Sequence, residues 1–209
     1  MQIDFAGITP YNCYKLMASL IVPRPIALVT TMNDAGVVNA APFSMFNMLG
    51  EDPPILMLSM TDGPDGRPKD TAANILAHRQ FVVHLADEAI AEQMHRCGES
   101  VPPEVSEVSM VGFTTLPSSA VVPPRIAEAP VAFECELHEY LKTASRHIFI
   151  GKILMLHARD DLIDIGNFHI NLKDYFPVAR FGASFYIRTR ERFVLAEAGA
   201  GSETFDKLA

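Results

Sequence analysis

Tryptophan is absent from this chain, cysteine occurs only three times, and no apolar run approaches the length of a membrane span. Each absence removes a class of answer. Without Trp, a planar cofactor can be met only by Phe, Tyr or His. Cys13, Cys97 and Cys135 are odd in number and far apart, which fits buried thiols in a reducing cytoplasm and not a disulfide framework. A membrane helix needs about 20 consecutive apolar residues, so no membrane span is expected. The opening MQIDFAGITP has neither a basic n-region nor an apolar h-region, and no signal peptide is expected. Neither G-x-G-x-x-G nor G-x-x-x-x-G-K-[ST] occurs, which argues against a dinucleotide domain or a P-loop. Any nicotinamide nucleotide would have to be held without a Rossmann unit. C-x-x-C, H-E-x-x-H and H-x-H are also missing, and the seven His are scattered, so no metal site is expected. Lys and Arg form no block and the formal charge is −8, which argues against a nucleic-acid surface.

What is present is a chain of many short strands. Its 209 residues suit one domain, and with 49% hydrophobic against 20% charged residues it can fill a packed core. Fifteen Pro and twelve Gly punctuate it too often for a helical bundle. Strands are predicted over 26–29, from Val37 onward, and over 55–60, 81–85, 131–137, 147–157 and 162–165, with 178–187 a strand or a helix. In 131–137, Val131, Phe133, Cys135 and Leu137 alternate with Glu134 and Glu136, the pattern of a half-exposed strand. Helices are predicted from Asp70, read as an N-cap, to Arg79 and from Asp87 to His95, with a short helix or turn near residues 12–17. Residues 98–129 form an irregular excursion and 191–209 a tail. Strands that do not alternate strictly with helices argue for a closed or split barrel over a doubly wound sheet.

The chain is organised around Ser19 to Asn47. Pro23 and Pro25 hold Arg24 in extended backbone. Ile26 to Val29 is a buried strand and Asn33-Asp34-Ala35-Gly36 a turn. Asn39-Ala40-Ala41-Pro42-Phe43-Ser44 then departs from simple core. Small residues and a proline suit a bulge followed by a loop, or a wall where backbone approaches a flat ligand. An anion site is the second candidate. Ser59 ends a strand, and Lys69, Asp70 and Thr71 follow a Gly/Pro loop and open a helix. The first N–H groups of a helix lack internal partners and attract phosphate; Lys69 adds charge and Thr71 a hydroxyl. The competing reading is an ordinary capped helix with Lys69 in solvent. Arg24 is a second cation for such a site.

PRPIALVTT, NAAPFSMFN and DPPILMLS, followed by Lys69-Asp70-Thr71 with Asn74, HIFIGK from His147, and VARFG from Val178 with Tyr186, resemble the flavin-reductase-like proteins with an FMN-binding split barrel. The resemblance runs from about Tyr14 to Tyr186. It implies a mainly β split barrel with a few peripheral helices, homodimeric, with the flavin at the subunit interface. It implies FMN as cofactor, with its phosphate at Lys69 and Thr71 and its ring along Asn39–Ser44 with Asn47. It also implies His147 near the nicotinamide or the flavin edge, a position where a strand-end surface histidine is the plain alternative. Gly182 and Tyr186 are structural or ligand-binding. The expected activity is oxidoreduction of flavin-reductase type, with NAD(P)H as donor and a second acceptor beyond the flavin. An FMN-binding electron carrier without its own NAD(P)H site and a non-catalytic flavin-binding module are the alternatives.

Overall fold

The computed structural model describes residues 1–193; the rest of the expected tail lies outside the described residues. Helix α1 (Pro10–Leu20) starts behind Thr9, whose hydroxyl accepts the Asn12 N–H, with Pro10 in the first turn where its missing N–H costs nothing. It is longer than the turn expected there. In chain order follow β1 (Arg24–Pro25), β2 (Ala27–Met32), β3 (Val38–Phe43), β4 (Phe46–Glu51), β5 (Pro54–Met60), α2 (Asp70–His78), β6 (Gln80–Leu85), α3 (Ala91–Arg96) and α4 (Glu107–Val111). Then come β7 (Thr115–Leu116), β8 (Arg125–Ile126), β9 (Val131–Lys142), β10 (His147–Ala158), β11 (Ile163–Asp164), β12 (His169–Ile170), β13 (Val178–Gly182) and β14 (Phe185–Arg188).

Seven strands make one antiparallel sheet in the order β3-β2-β6-β9-β10-β5-β4. Its two end strands are neighbours in sequence, joined only through Ser44 and Met45, so the sheet curls round on itself without a closing ladder. The result is mainly β with few helices, a split barrel. Val29, Phe43, Leu58, Phe81, Cys135 and Phe149 fill its interior, and α2 packs Ala72 and Ile75 onto them. Gly151 in β10 makes room for this packing: a Cβ there would overlap the Phe81 ring. A second core lies outside, where Leu28 and Ala40 meet Met94 of α3, Val108 of α4 and Ile126. Strand β2 is therefore buried on both faces, which is why Ala27, Leu28 and Val29 run apolar without alternation and Thr30 and Thr31 are buried as well.

Several expectations are corrected. The Asn39–Ser44 segment is no bulge and loop: β3 pairs with β2 in unbroken register, Leu28 opposite Pro42. Proline is tolerated because β3 is an end strand, so its missing N–H faces no partner. The chain beyond it is strand β4. Lys69 is the N-cap of α2, in extended conformation, and Asp70 is the first helical residue without a capping bond. Glu134, expected on a solvent face, is fully buried: Ser119 and Ala120 donate their N–H groups to it and His157 Nε2 lies 2.5 Å away. The 98–129 excursion covers that face of β9. The helix expected over 87–95 is reduced to α3, and 178–187 is a hairpin of β13 and β14.

His84 on β6 is fully buried in a fixed neutral form. Its Nδ1 lies 3.0 Å from the Leu28 carbonyl, and its Nε2 accepts the Ile126 N–H at 2.9 Å. A proton on Nε2 would face that N–H, and burial pushes the imidazole down to about 4. Between the ordinary histidine value and this one the unfolded chain binds a proton that the native state does not, so stability rises with pH. On acidification from pH 7 to pH 4 this one group should remove about 3 kcal/mol. Urea unfolding across that range should show the loss, and His84→Gln should flatten that part of the profile. Parallel profiles for the two proteins would contradict the assignment.

Candidate functional site

Three adjoining cavities share Pro42. One of about 590 Å³ is lined by Tyr14, Arg24, Ser44 and Arg180. A second of about 710 Å³ is lined by Asn39, Ala41, Phe43, Lys69 and Thr71. A third of about 400 Å³ lies between Ser44, Ser59, Lys69 and Arg146. Together they form a groove that follows the unpaired side of β3 from α1 to the start of α2. Small residues and a proline on an end strand keep this edge open, so the composition that broke the sequence pattern is also what makes the groove.

At the α2 end, the first helical hydrogen bond runs from the Ala73 N–H to the Lys69 carbonyl at 2.9 Å. The N–H groups of Asp70, Thr71 and Ala72 therefore lack an intrahelical partner and carry the positive end of the helix. Lys69 makes no ion pair among the described residues. Asp70, also at this end, adds the one negative charge of the first turn. Behind the helix start, a buried polar cluster fixes its place against the barrel. Asn39 Nδ2 donates to Thr71 Oγ1 at 2.9 Å and to Thr31 Oγ1 at 3.4 Å, and Asn74 Nδ2 donates to the same Thr31 oxygen at 3.0 Å.

The loop before α2 is held from the other side. Asp62 accepts from Lys142 Nζ at 2.8 Å and sits 2.6 Å from His147 Nε2, while His147 Nδ1 faces the Tyr140 hydroxyl at 2.8 Å. The hydrogen bond from Lys142, then that from His147, hold the Asp62 carboxyl below its ordinary value. His147 itself is only 3% exposed, and its ring lies nearly parallel to Phe149. Both ring nitrogens face protein partners and it lines none of the three cavities, so it is not the surface histidine that the sequence left open.

The other sequence-derived candidates divide. Asn39, Ala41, Pro42, Phe43, Ser44, Ser59, Lys69 and Thr71 come together along the groove. Arg24 lines its α1 end, apart from Lys69. It donates to the carbonyls of Ala18 and Ile21, and its Nε lies 3.5 Å from Ser44 Oγ, so it ties the end of α1 to the groove wall. Burial, with a smaller push from Arg180, lowers its pKa. Ala40 faces the outer core, its N–H bonded to Glu107 Oε2 at 2.9 Å. Asn74 lies behind the helix, and Asn47 is exposed on β4 outside the groove. Cys97, near the groove, is no nucleophile, since burial pushes its thiol up to about 12. Sequence reasoning gave no site role to Thr31, Asp62, Arg146 or Arg180: Thr31 and Arg180 fall within the PRPIALVTT and VARFG motifs without being singled out, and Asp62 and Arg146 stand in no local motif.

Residues 17–171 match the family described as flavin reductase like domain. The chain belongs to that family. An uncharacterized protein of Aquifex aeolicus (strain VF5) is 40% identical to this flavin reductase-like chain over 175 residues, 84% of this chain and 89% of that one. Among solved structures, 2-nitrobenzoate 2-nitroreductase NbaA of Pseudomonas fluorescens superposes with a TM-score of 0.87 at 38% identity, covering 95% of this chain and 97% of that one. Nitrilotriacetate monooxygenase component B of Bacillus cereus gives a TM-score of 0.87 at 29% identity, covering 93% and 98%.

Thr31 Oγ1 is the shared acceptor on which the helix start of this flavin reductase-like chain depends. Thr31→Val keeps the shape and leaves two amide donors short of a partner, so it should destabilise the fold by about 1–3 kcal/mol. Chemical denaturation that finds no change would contradict the role given to this cluster.

Proposed function

We propose that this chain is an FMN-dependent oxidoreductase that takes electrons from NADH or NADPH and delivers them to a second acceptor. The observation that carries the reading is the continuity of the groove: a wall formed by Ala41, Pro42 and Ser44 leads to a cationic helix start at Lys69 and Thr71. That sequence of surfaces suits a ligand that is flat at one end and a phosphate at the other. Family membership supports the same reading, as does the likeness to a nitroreductase and a monooxygenase component. Bound FMN supplies a ring that can accept a hydride and release electrons. The chain's own residues bind and orient it. Backbone of β3 and Ser44 offer polar contacts at the ring, Ser59 and Arg146 flank the connecting part, and Lys69, Thr71 and the first N–H groups of α2 hold the anion, with Asn39 fixing Thr71. Asp70 serves this arrangement best with its carboxylate turned from the phosphate.

His147 is assigned here to positioning. Through Asp62 it fixes the loop that delivers Lys69, which places its effect on flavin binding and not on the hydride step first expected of it. A cytoplasmic location belongs to the same proposal. No described helix is long and apolar enough to cross a membrane, and the buried thiols of Cys97 and Cys135 suit a reducing compartment. A homodimer is also proposed. Met48 and Leu49 on end strand β4 are 70% and 50% exposed, an apolar strand edge of the kind that association covers. Sedimentation at micromolar concentration should find a dimer, and a lone 23.0 kDa species would contradict it.

One experiment separates the assigned roles. Charge-assisted bonds to phosphate are worth about 1.5–3 kcal/mol, so Lys69→Ala should weaken FMN binding by roughly one to two decades. His147→Gln should weaken it by a smaller factor. With flavin saturating, both variants should be reduced by NAD(P)H at the wild-type rate. A slow reduction step in His147→Gln with unchanged FMN affinity would return that residue to the nicotinamide side. Failure of NADH and NADPH to bleach the wild-type flavin would leave an electron carrier.

A further inference from the structure

The α1 end of the groove has an electrostatic problem that FMN at α2 does not solve. The register of β1 on β13 places Arg24 directly opposite Arg180. Like charges directly opposite on paired strands repel. Arg24 is only 9% exposed, and its bonds go to neutral oxygens of Ala18, Ile21 and Ser44. Among the described residues neither guanidinium has a carboxylate within ion-pair distance, and Lys15 adds a third positive charge to the same cavity. The acid at this cavity, Glu99, has its own partner in Arg96 at 3.6 Å. Two facing arginines in a concave site, one of them buried, are a ready seat for an anion, since the guanidinium fork matches an oxyanion with two parallel bonds.

The walls narrow the class of anion. Tyr14 and Tyr186 line the cavity with Ile26 and Pro42. The Arg180 guanidinium lies 4.7 Å over the Tyr186 ring, which orients its plane. The volume of about 590 Å³ falls in the range of small-molecule sites. A bare inorganic anion would leave the tyrosine and proline surfaces unused. We propose that this cavity binds a small aromatic carboxylate, its carboxylate between Arg24 and Arg180 and its ring against the tyrosines. The site shares Pro42 and Ser44 with the flavin groove, so the ligand lies next to the proposed flavin. Its binding chemistry does not depend on that reading.

Calorimetric titration of the full chain with benzoate tests it, with benzamide as the neutral isostere and inorganic phosphate as the ring-free anion. Benzoate should bind at least tenfold more tightly than either. Arg180→Gln should erase its preference over benzamide, and Arg180→Lys, which keeps the charge without the fork, should restore part of it. Equal binding of benzoate and benzamide, a preference that survives Arg180→Gln, or phosphate binding as tightly as benzoate would overturn the proposal. The titrations are repeated with FMN saturating. Retention of benzoate binding supports a separate site, whereas its loss would assign the arginines to the cofactor and overturn the proposal. A chain that takes benzoate but not FMN would sink the proposed function and leave this site standing.

Discussion

A curled antiparallel sheet closes only if its first and last strands pair, and here they do not. Strands β3 and β4 end the seven-stranded sheet although only Ser44 and Met45 separate them in sequence. Pro42 reinforces the opening, since it brings no N–H to the outer side of β3. The rest of the structure depends on that open edge. The interior core needs α2 to cover one side of the barrel, and the outer core needs α3, α4 and the excursion to cover β2 and β3. What stays uncovered is the groove, walled by short side chains and bounded by cations at both ends.

The two ends of the groove are built differently. At α2 the positive field comes from backbone, steadied by the Thr31, Asn39, Thr71 and Asn74 hydrogen bonds and by the Asp62, Lys142 and His147 contacts on the preceding loop. At α1 it comes from side chains that strand pairing forces together. Two cation sites of different make, separated by a flat wall, fit a groove that holds two ligands side by side.

The strands with strong patterns were legible: 55–60, 81–85 and 147–157 fall inside observed strands, and 26–29 does so from Ala27 onward. So was the helix after the Gly/Pro loop, and with it most of the groove, because Asn39–Ser44 and Lys69–Thr71 carry local signals. Other features depended on distant partners. Glu134 alternates as a solvent-facing residue would, but the excursion folds over it and supplies two N–H groups. Asp70 is a good capping residue by type, yet Lys69 holds the cap conformation. His147 begins a strand, and only the loop at Asp62 shows that its ring nitrogens face inward. Arg24 and Arg180 lie at opposite ends of the chain, and nothing local announces that one strand pair sets them face to face.

The central claim is that the groove holds a flavin by its phosphate. Equilibrium titration of the full chain with FMN and riboflavin, followed by flavin absorbance or fluorescence, tests it most directly. FMN should bind at least tenfold more tightly than riboflavin, which carries the same ring without the anion. Equal affinities would contradict the account, because the open helix start and Lys69 would then contribute nothing to holding the ligand.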